Sequence, residues 1–195
     1  MKKLISSGFK KTIYLSSAAV YGSKTSTPLK ETEIVSPYSA YTKMKLECES
    51  ICLDAGGVVC RLANAYGPHS SPLSVIGEML SQLNTGGPMY LDSLDPVRDF
   101  IWLDDVVDGI IAATQLEECG IFNIGTSVGT SVGSIAKQLL EAANQGNREI
   151  ISRRSTNGSS VNVLCIEKIV SKTNWLPKTN TQVGLTKLVQ CKLKD

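Results

Sequence analysis

Lys11-Thr12-Ile13-Tyr14-Leu15-Ser16-Ser17-Ala18-Ala19-Val20-Tyr21-Gly22 is the stretch from which the fold can be read. Its first half is β-branched and aromatic and stops at small residues, which predicts a buried strand over 11–16. Residues 22–36 are rich in Ser, Thr, Pro and Lys and read as a loop. Ser36-Pro37 then opens a helix, with proline at a permitted first-turn position, running to about Asp54 before Gly56-Gly57. Val58-Val59-Cys60-Arg61-Leu62 is a second buried strand. Asn64 to Pro72 is loop-like again, with Gly67-Pro68 as its strongest turn signal. Strand, helix, strand is the rhythm of a parallel α/β sheet.

The rest of the chain is mixed α and β. Helices are predicted near 73–84, 104–117, 131–144, 166–174 and 181–191, and short strands near 89–91, 98–102, 121–124 and 149–152. Gly-Thr-Ser-Val occurs twice in succession, at 125–128 and 129–132. Two copies are too short for a solenoid, and the stretch reads as a turn leading into a helix.

Composition narrows the classes. The chain has 195 residues, 42% hydrophobic and 19% charged, with a net charge of +2. At about 150 residues per domain this is one domain or one and a fraction, with enough apolar mass for a core. A charge this small gives no general attraction to nucleic acid or anionic lipid. No run approaches the length of a membrane span, and the lysines at 2 and 3 are not followed by a signal-peptide core. Met1 to Gly8 reads as the tail of a helix. The six cysteines contain no CxxC and are expected to be free thiols in a reducing compartment, the cytoplasm.

Tyr41 and Lys45 place a phenol and an ammonium four residues apart on one helical face. An ammonium held beside a phenol favours the phenolate, which can serve as a general base. With 6 tyrosines and 15 lysines, chance supplies about half such a pair, so the spacing alone is weak. Context strengthens it. Ser16 and Ser17 stand at the carboxyl end of the first strand, where open α/β sheets bind ligands. A serine there can share a proton with the tyrosine, or merely satisfy backbone groups. Arg61-Leu62-Ala63-Asn64-Ala65-Tyr66-Gly67-Pro68 follows the next strand at its carboxyl end. Three elements then converge on one crevice.

With these pieces in order, the sequence resembles the NAD-dependent epimerase/dehydratase family of extended short-chain dehydrogenases/reductases, of the UDP-galactose 4-epimerase type. The motifs that carry the resemblance are Ser16–Gly22, Tyr41–Lys45 within Ser36–Glu49, Arg61–Pro68, Val97–Val107, Phe122–Gly125 and Asn174–Thr179. The resemblance implies a Rossmann-type parallel sheet, of which only the later strands are present, plus a smaller mixed α/β substrate-binding region. Residues 1–70 would be the remaining part of the NAD-binding domain. Residues 71–195 would be mainly the nucleotide-sugar region, with some elements returning to the sheet.

The resemblance also implies roles. Tyr41 would be the acid/base, Lys45 would hold the nicotinamide ribose and favour the Tyr41 phenolate, and Ser17 would complete the catalytic set. Ser16, Leu62 and Ala63 would line the cofactor site. Ser17, Asn64, Arg98 and Arg154 would contact the nucleotide-sugar, Arg98 pairing with its diphosphate. For Arg98 the bland alternative is an ion pair with Asp99 or Asp104. The implied cofactor is NAD, with NADP left open, and the implied substrate is a nucleotide-sugar, a UDP-sugar in preference. No metal, nucleic-acid or membrane partner is implied. A homodimer through the helix bearing Tyr41 is.

Two departures matter. Where 4,6-dehydratases of the family carry acids after the catalytic residue, this chain has Ala18 and Ala19, so epimerase-like or plain redox chemistry is preferred to dehydration. No GxGxxG or GxxGxxG is present, and the Gly125, Gly129, Gly133 spacing does not match. The expectation is therefore a C-terminal portion of the family's architecture, lacking about 100 residues of cofactor domain at about 30 per βαβ unit. A sheet so shortened exposes an edge, which predicts marginal solubility or oligomerisation.

Smaller signals read blandly. His69 is the sole histidine, in a loop, and is expected to be solvated. Cys48 and Cys52 share the Tyr41 helix without completing a zinc site. Asn157-Gly158-Ser159 fits a glycosylation sequon without a secretory signal. Three functions compete: a nucleotide-sugar epimerase or reductase, a non-catalytic remnant retaining part of the nucleotide-sugar site, and an interaction module.

Overall fold

The computed structural model describes residues 11–22, 28–154 and 160–192. Strand β1 (Ile13–Ser17) pairs in parallel with β2 (Val58–Leu62), and β2 pairs in parallel with β6 (Gly120–Ile124), giving the order β1-β2-β6. The register sets Ser16 opposite Arg61 and Ser17 opposite Leu62. The carboxyl ends of β1 and β2 therefore finish side by side. Parallel neighbours require crossovers; helix α1 (Ala40–Asp54) makes the one from β1 to β2.

Helix α1 begins later than the proline suggested. Ser39 caps it, accepting from the Thr42 amide at 3.2 Å while Thr42 Oγ1 accepts from the Ser39 amide at 3.1 Å. Pro37 disfavours helical backbone at Ser36, and the reciprocal cap fixes the start three residues further on. A second correction concerns the loop expected from Asn64. The chain changes sheets there: β3 (Asn64–Tyr66) pairs in parallel with β5 (Val97–Trp102). The strand is three residues long and only Tyr66 favours one, Asn and Ala being disfavoured, so it carried little signature of its own.

Strand β5 also pairs with β7 (Gly129–Ser131), antiparallel, and with β9 (Val161–Asn162), parallel. Strands β4 (Met89–Leu91) and β8 (Ile150–Ser152) form a separate parallel pair. The helices α2 (Val75–Ser81), α3 (Leu103–Thr114), α4 (Val132–Ala142), α5 (Glu167–Thr173) and α6 (Thr181–Lys192) lie within a few residues of their expected positions. The repeated Gly-Thr-Ser-Val is a turn, a three-residue strand and the start of α4.

Two apolar cores result. One joins Val58, Cys60, Phe122 and Ile124 of the first sheet to Val106 and Ala113 of α3 and to Trp175. The other gathers Ile135 and Leu139 of α4, Leu185 and Leu188 of α6, and Met79, Met89 and Leu91. Strand β5 divides them: alternation sends Ile101 into the first core and Phe100 and Trp102 into the second. Among the described residues β1 pairs only with β2, and its Leu15 is 40% exposed. All six cysteines are free, and no described helix is long and apolar enough to cross a membrane. The expected N-terminal helix tail and the sequon at 157–159 lie outside the described residues.

Candidate active site

The chain leaves β1 through a single 3-10 turn, Ala18–Tyr21, because Ser17 caps it: Ser17 Oγ accepts from the Ala19 amide at 3.2 Å. The hydroxyl proton of Ser17 stays free to donate. At this point the ends of β1 and β2 enclose a crevice of about 140 Å³. Its walls are Ser17, Ala18 and Ala19, then Leu62, Ala63 and Asn64, with Arg98, Tyr38 and Asn162 closing the far side. Five of the sequence-assigned residues, Ser17, Leu62, Ala63, Asn64 and Arg98, thus meet at one place. The volume suits a single ring-sized group and is small beside the roughly 300–1,000 Å³ of sites that enclose drug-sized ligands.

Arg98 is held as a donor fork. Its Nη1 donates to the carbonyls of Val97 at 2.8 Å and Ser160 at 2.7 Å, and Nη2 donates to Ser160 Oγ at 2.7 Å. No ion pair joins it to Asp99 or Asp104. Asp99 is buried and accepts from the amides of Thr126, Ser127 and Leu164. Asp104 accepts from Trp102 Nε1 at 2.9 Å. Burial lowers the Arg98 pKa from its ordinary value, against an opposing influence of Tyr38, and the group remains a cation without an internal counter-charge from those neighbours. A cation left without such a counter-charge can pair with an anion from outside. Asn64 stands exposed, its amide donating to the Asp99 carbonyl at 3.3 Å.

Tyr41 and Lys45 do not line the crevice. They stand next to it on α1, Tyr41 half exposed. Lys45 Nζ donates to the Leu15 carbonyl at 2.8 Å, two residues before Ser17, and lies 5.6 Å from the Tyr41 ring centre and 5.1 Å from that of Tyr14. The ammonium is therefore beside the phenol ring, as the spacing implied. Ser16 differs from its expected part: its hydroxyl is buried and donates to Glu49, facing α1 and not the crevice. Strand alternation accounts for this, since Ser17 takes the opposite direction. Arg154 is not brought to the crevice either. It is exposed beside β8, 3.7 Å from Asp92. His69 is exposed in the turn after β3.

Asn162 is the residue that the motifs did not reveal. Its Nδ2 donates to the carbonyls of Ala18 at 3.0 Å and Gly22 at 3.3 Å, bracing the turn after β1. Its Oδ1 is buried with no partner among the described residues, in a residue 8% exposed. An asparagine inside the apolar run Val161-Asn162-Val163-Leu164 was the only available signal. A roomier hollow, about 840 Å³, lies between the turns at 85–88 and 144–149. Its Arg148 is engaged by the Gln82 and Gly87 carbonyls and by Gln145, which leaves no free fork there.

The profile of the NAD dependent epimerase/dehydratase family matches residues 2–125. The chain belongs to that family. Among curated relatives, UDP-glucose 4-epimerase 2 of Oryza sativa subsp. japonica is 31% identical over 88% of this chain and 50% of its own length. The dTDP-D-glucose 4,6-dehydratase of Mus musculus is 29% identical over 94% of this chain and 56% of its own. The chain spans about half the length of these relatives. Among solved structures, the UDP-glucose 4-epimerase of Thermotoga maritima, with UDP-glucose, superposes with a TM-score of 0.87 at 28% identity, covering 99% of this chain and 66% of that one.

The family's name implies a dinucleotide, and the described residues fit only one end of it. Lys45 and Tyr41, with Leu62 and Ala63, offer an ammonium, a phenol and an apolar wall suited to a nicotinamide riboside. The crevice does not accommodate a pyrophosphate and a second nucleoside as well, and no glycine-rich turn opening a helix stands at its mouth among the described residues.

Proposed function

We propose that this chain carries the substrate-side half of an NAD-dependent nucleotide-sugar epimerase-type centre. The observation that supports it best is the convergence of Ser17, Asn64 and the Arg98 fork on one crevice at the ends of two parallel strands, with Lys45 against the Tyr41 ring beside it. NAD, when bound, supplies the hydride acceptor and donor for a sugar carbon. Tyr41 takes the proton of the sugar hydroxyl and returns it, Ser17 hydrogen-bonds that hydroxyl through its free O–H, and Lys45 stands beside the Tyr41 ring. Arg98 holds the diphosphate through N–H groups left over from its bonds to Val97 and Ser160. Arg154 is an outer contact at most, on the side of Asp92.

The family name and the relatives cover epimerases and dehydratases alike. Ala18 and Ala19 favour the epimerase, because elimination needs an acid and a base where these methyl groups stand. A keto-sugar reductase would use the same Ser17, Tyr41 and Lys45. The small crevice supports a second reading, in which the chain alone binds a nucleotide-sugar without turning it over. The half-exposed Met44 on α1 is where a homodimer would pack.

Calorimetric titration of the purified chain with NAD, with and without UDP-glucose, separates these readings. Micromolar NAD binding followed by epimerisation that Tyr41→Phe abolishes supports the enzyme. UDP-glucose binding lost on Arg98→Ala, with no NAD binding, assigns a nucleotide-sugar binding module. Binding of neither ligand overturns both.

A further inference from the structure

Tyr41, Lys45 and Glu49 follow one another at four-residue spacing on one face of α1, and only the first two have a part in the chemistry above. Glu49 is 3% exposed. Its carboxylate accepts from Arg61 twice, Nε at 3.1 Å and Nη2 at 2.7 Å, and from the Ser16 hydroxyl. Arg61, also 3% exposed, lies across the Tyr21 ring at 4.7 Å. The Tyr21 hydroxyl donates to Asn123 Oδ1 at 2.8 Å, and Asn123 donates to the carbonyls of Leu29 and Cys165. A continuous polar chain thus runs from the Tyr41 helix through β1, β2 and β6, within a buried part of the molecule.

We propose that Glu49 and Arg61 form a buried clamp that positions Tyr41 and Lys45 against the end of β1, making both of them positioning residues for the reaction. The proposal rests on the reading of Ser17, Tyr41 and Lys45 as the reacting set. Ser16 and Arg61 are cross-strand neighbours, and one carboxylate grips both. It therefore fixes α1 in height along the two strands and in rotation about its own axis. Lys45 then meets the Leu15 carbonyl one residue before Ser16, and Tyr41 falls one turn nearer the crevice.

Stability alone does not account for the pair. Replacing a buried ion pair by apolar residues of similar volume is often neutral or stabilising. Moreover, Arg61 Nη1 is buried without a partner among the described residues, a cost that a purely stabilising arrangement would avoid. What apolar side chains cannot supply is direction. Three hydrogen bonds on one carboxylate hold a helix far more narrowly than methyl groups do, and small misplacements of reacting groups cost rate steeply.

The test compares Glu49→Leu/Arg61→Met and the near-isosteric Glu49→Gln with the unsubstituted chain. Three quantities are measured: the melting temperature, the ring 13C NMR signal that Tyr41→Phe identifies, and NAD-dependent turnover of UDP-glucose. The expected result is a folded double variant that melts at or above the parent, has a displaced Tyr41 signal, and shows kcat reduced about a hundredfold with KM within about twofold. A folded double variant with an unchanged Tyr41 signal overturns the proposal. If the double variant does not fold, Glu49→Gln decides by the same signal: displacement supports the clamp and identity overturns it. If neither folds, the pair is a folding determinant and the proposal falls. Absence of turnover in the parent chain instead sinks the epimerase-type reading, while the Tyr41 signal still decides the clamp.

Discussion

Arg61 and Arg98 stand at the two sides of one strand-end region and have opposite electrostatic lives. Arg61 is enclosed, with Glu49 bidentate on its fork and the Tyr21 ring beneath it. Burial works against its charge, but the bonds to Glu49 and the neighbouring Tyr21 outweigh this and raise its pKa above the ordinary value. Arg98 is half-buried and held only by neutral oxygens, and its pKa is lowered. The contrast separates a charge neutralised within the fold from one paired only with neutral oxygens. An arginine near a site is evidence of anion binding only when its own neighbours have not already neutralised it.

The strongest way to break this contrast is to remove one partner of the matched pair. Glu49→Ala leaves the Arg61 cation buried and uncompensated, and urea unfolding is expected to show a loss of about 3–5 kcal/mol. Arg98→Ala removes bonds to neutral acceptors and is expected to cost about 1 kcal/mol of stability. Equal losses for the two variants would mean that Arg98 is a structural cation, and the anion-site argument would fail.

The second expectation takes the contrast to the ligand. Calorimetry of UDP-glucose with Arg98→Ala is expected to show affinity lower by about 1.5–3 kcal/mol, the size of a charge-assisted hydrogen-bond loss. Arg154→Ala, changing an exposed cation already facing Asp92, is expected to leave affinity within about threefold at moderate salt. A larger effect of Arg154 than of Arg98 would move the diphosphate site away from the crevice.

Which parts of this were legible beforehand follows from the range of each interaction. The helix bearing Tyr41 and the strands at 58–62 and 120–124 were readable because burial and periodicity act on neighbouring residues. Ser17, Asn64 and Arg98 were readable because they sit within motifs whose order along the chain carries the resemblance. Asn162, Ser160 and the Glu49–Arg61 pair were not, since each acquires meaning only from a partner far along the chain: Ala18 for Asn162, Arg98 for Ser160. The direction of the Ser16 hydroxyl has the same origin. Adjacent serines at a strand end look equivalent in sequence, yet the pleat sends one to a carboxylate and the other to the crevice. The late start of α1 was a local matter, decided by the Ser39–Thr42 cap over the more conspicuous Pro37.

The third expectation sharpens the same contrast with pH. Cys60 precedes Arg61, so its thiol faces the other side of β2, into the apolar core. Burial, with a smaller push from Cys52, raises it from 9.0 to about 12. The folded thiol therefore stays protonated where the unfolded one ionises. Stability is fully present below pH 9 and is lost as pH rises from 9 to 12, by at most about 1.4 kcal/mol per pH unit from this group. Cys60→Ala should flatten the alkaline fall of urea midpoints without abolishing it, because burial also raises Tyr21 and Tyr66. An unchanged slope would show that the thiol does not sense a dry core on that side.

The smallest effect is the one most specific to the crevice. Asn162 Oδ1 is a buried acceptor without a partner among the described residues; a ligand donor reaches it only when the turn it braces gives way, and is then favoured. On the proposed reading, a uridine diphosphate alone would reach Arg98 and not Asn162, and the sugar hydroxyls would be the donors at the Ser17 side. Thermal upshift by UDP-glucose should therefore exceed that by UDP in the parent chain, by a margin equivalent to about 1 kcal/mol of binding. In Asn162→Ala, which also loses the brace to Ala18 and Gly22, the absolute melting temperature falls, but the informative quantity is the difference between the two ligands. That difference should vanish while the UDP upshift persists. If both upshifts shrink together, Asn162 matters only for the shape of the turn after β1, and the orphaned oxygen belongs to the fold and not to the sugar.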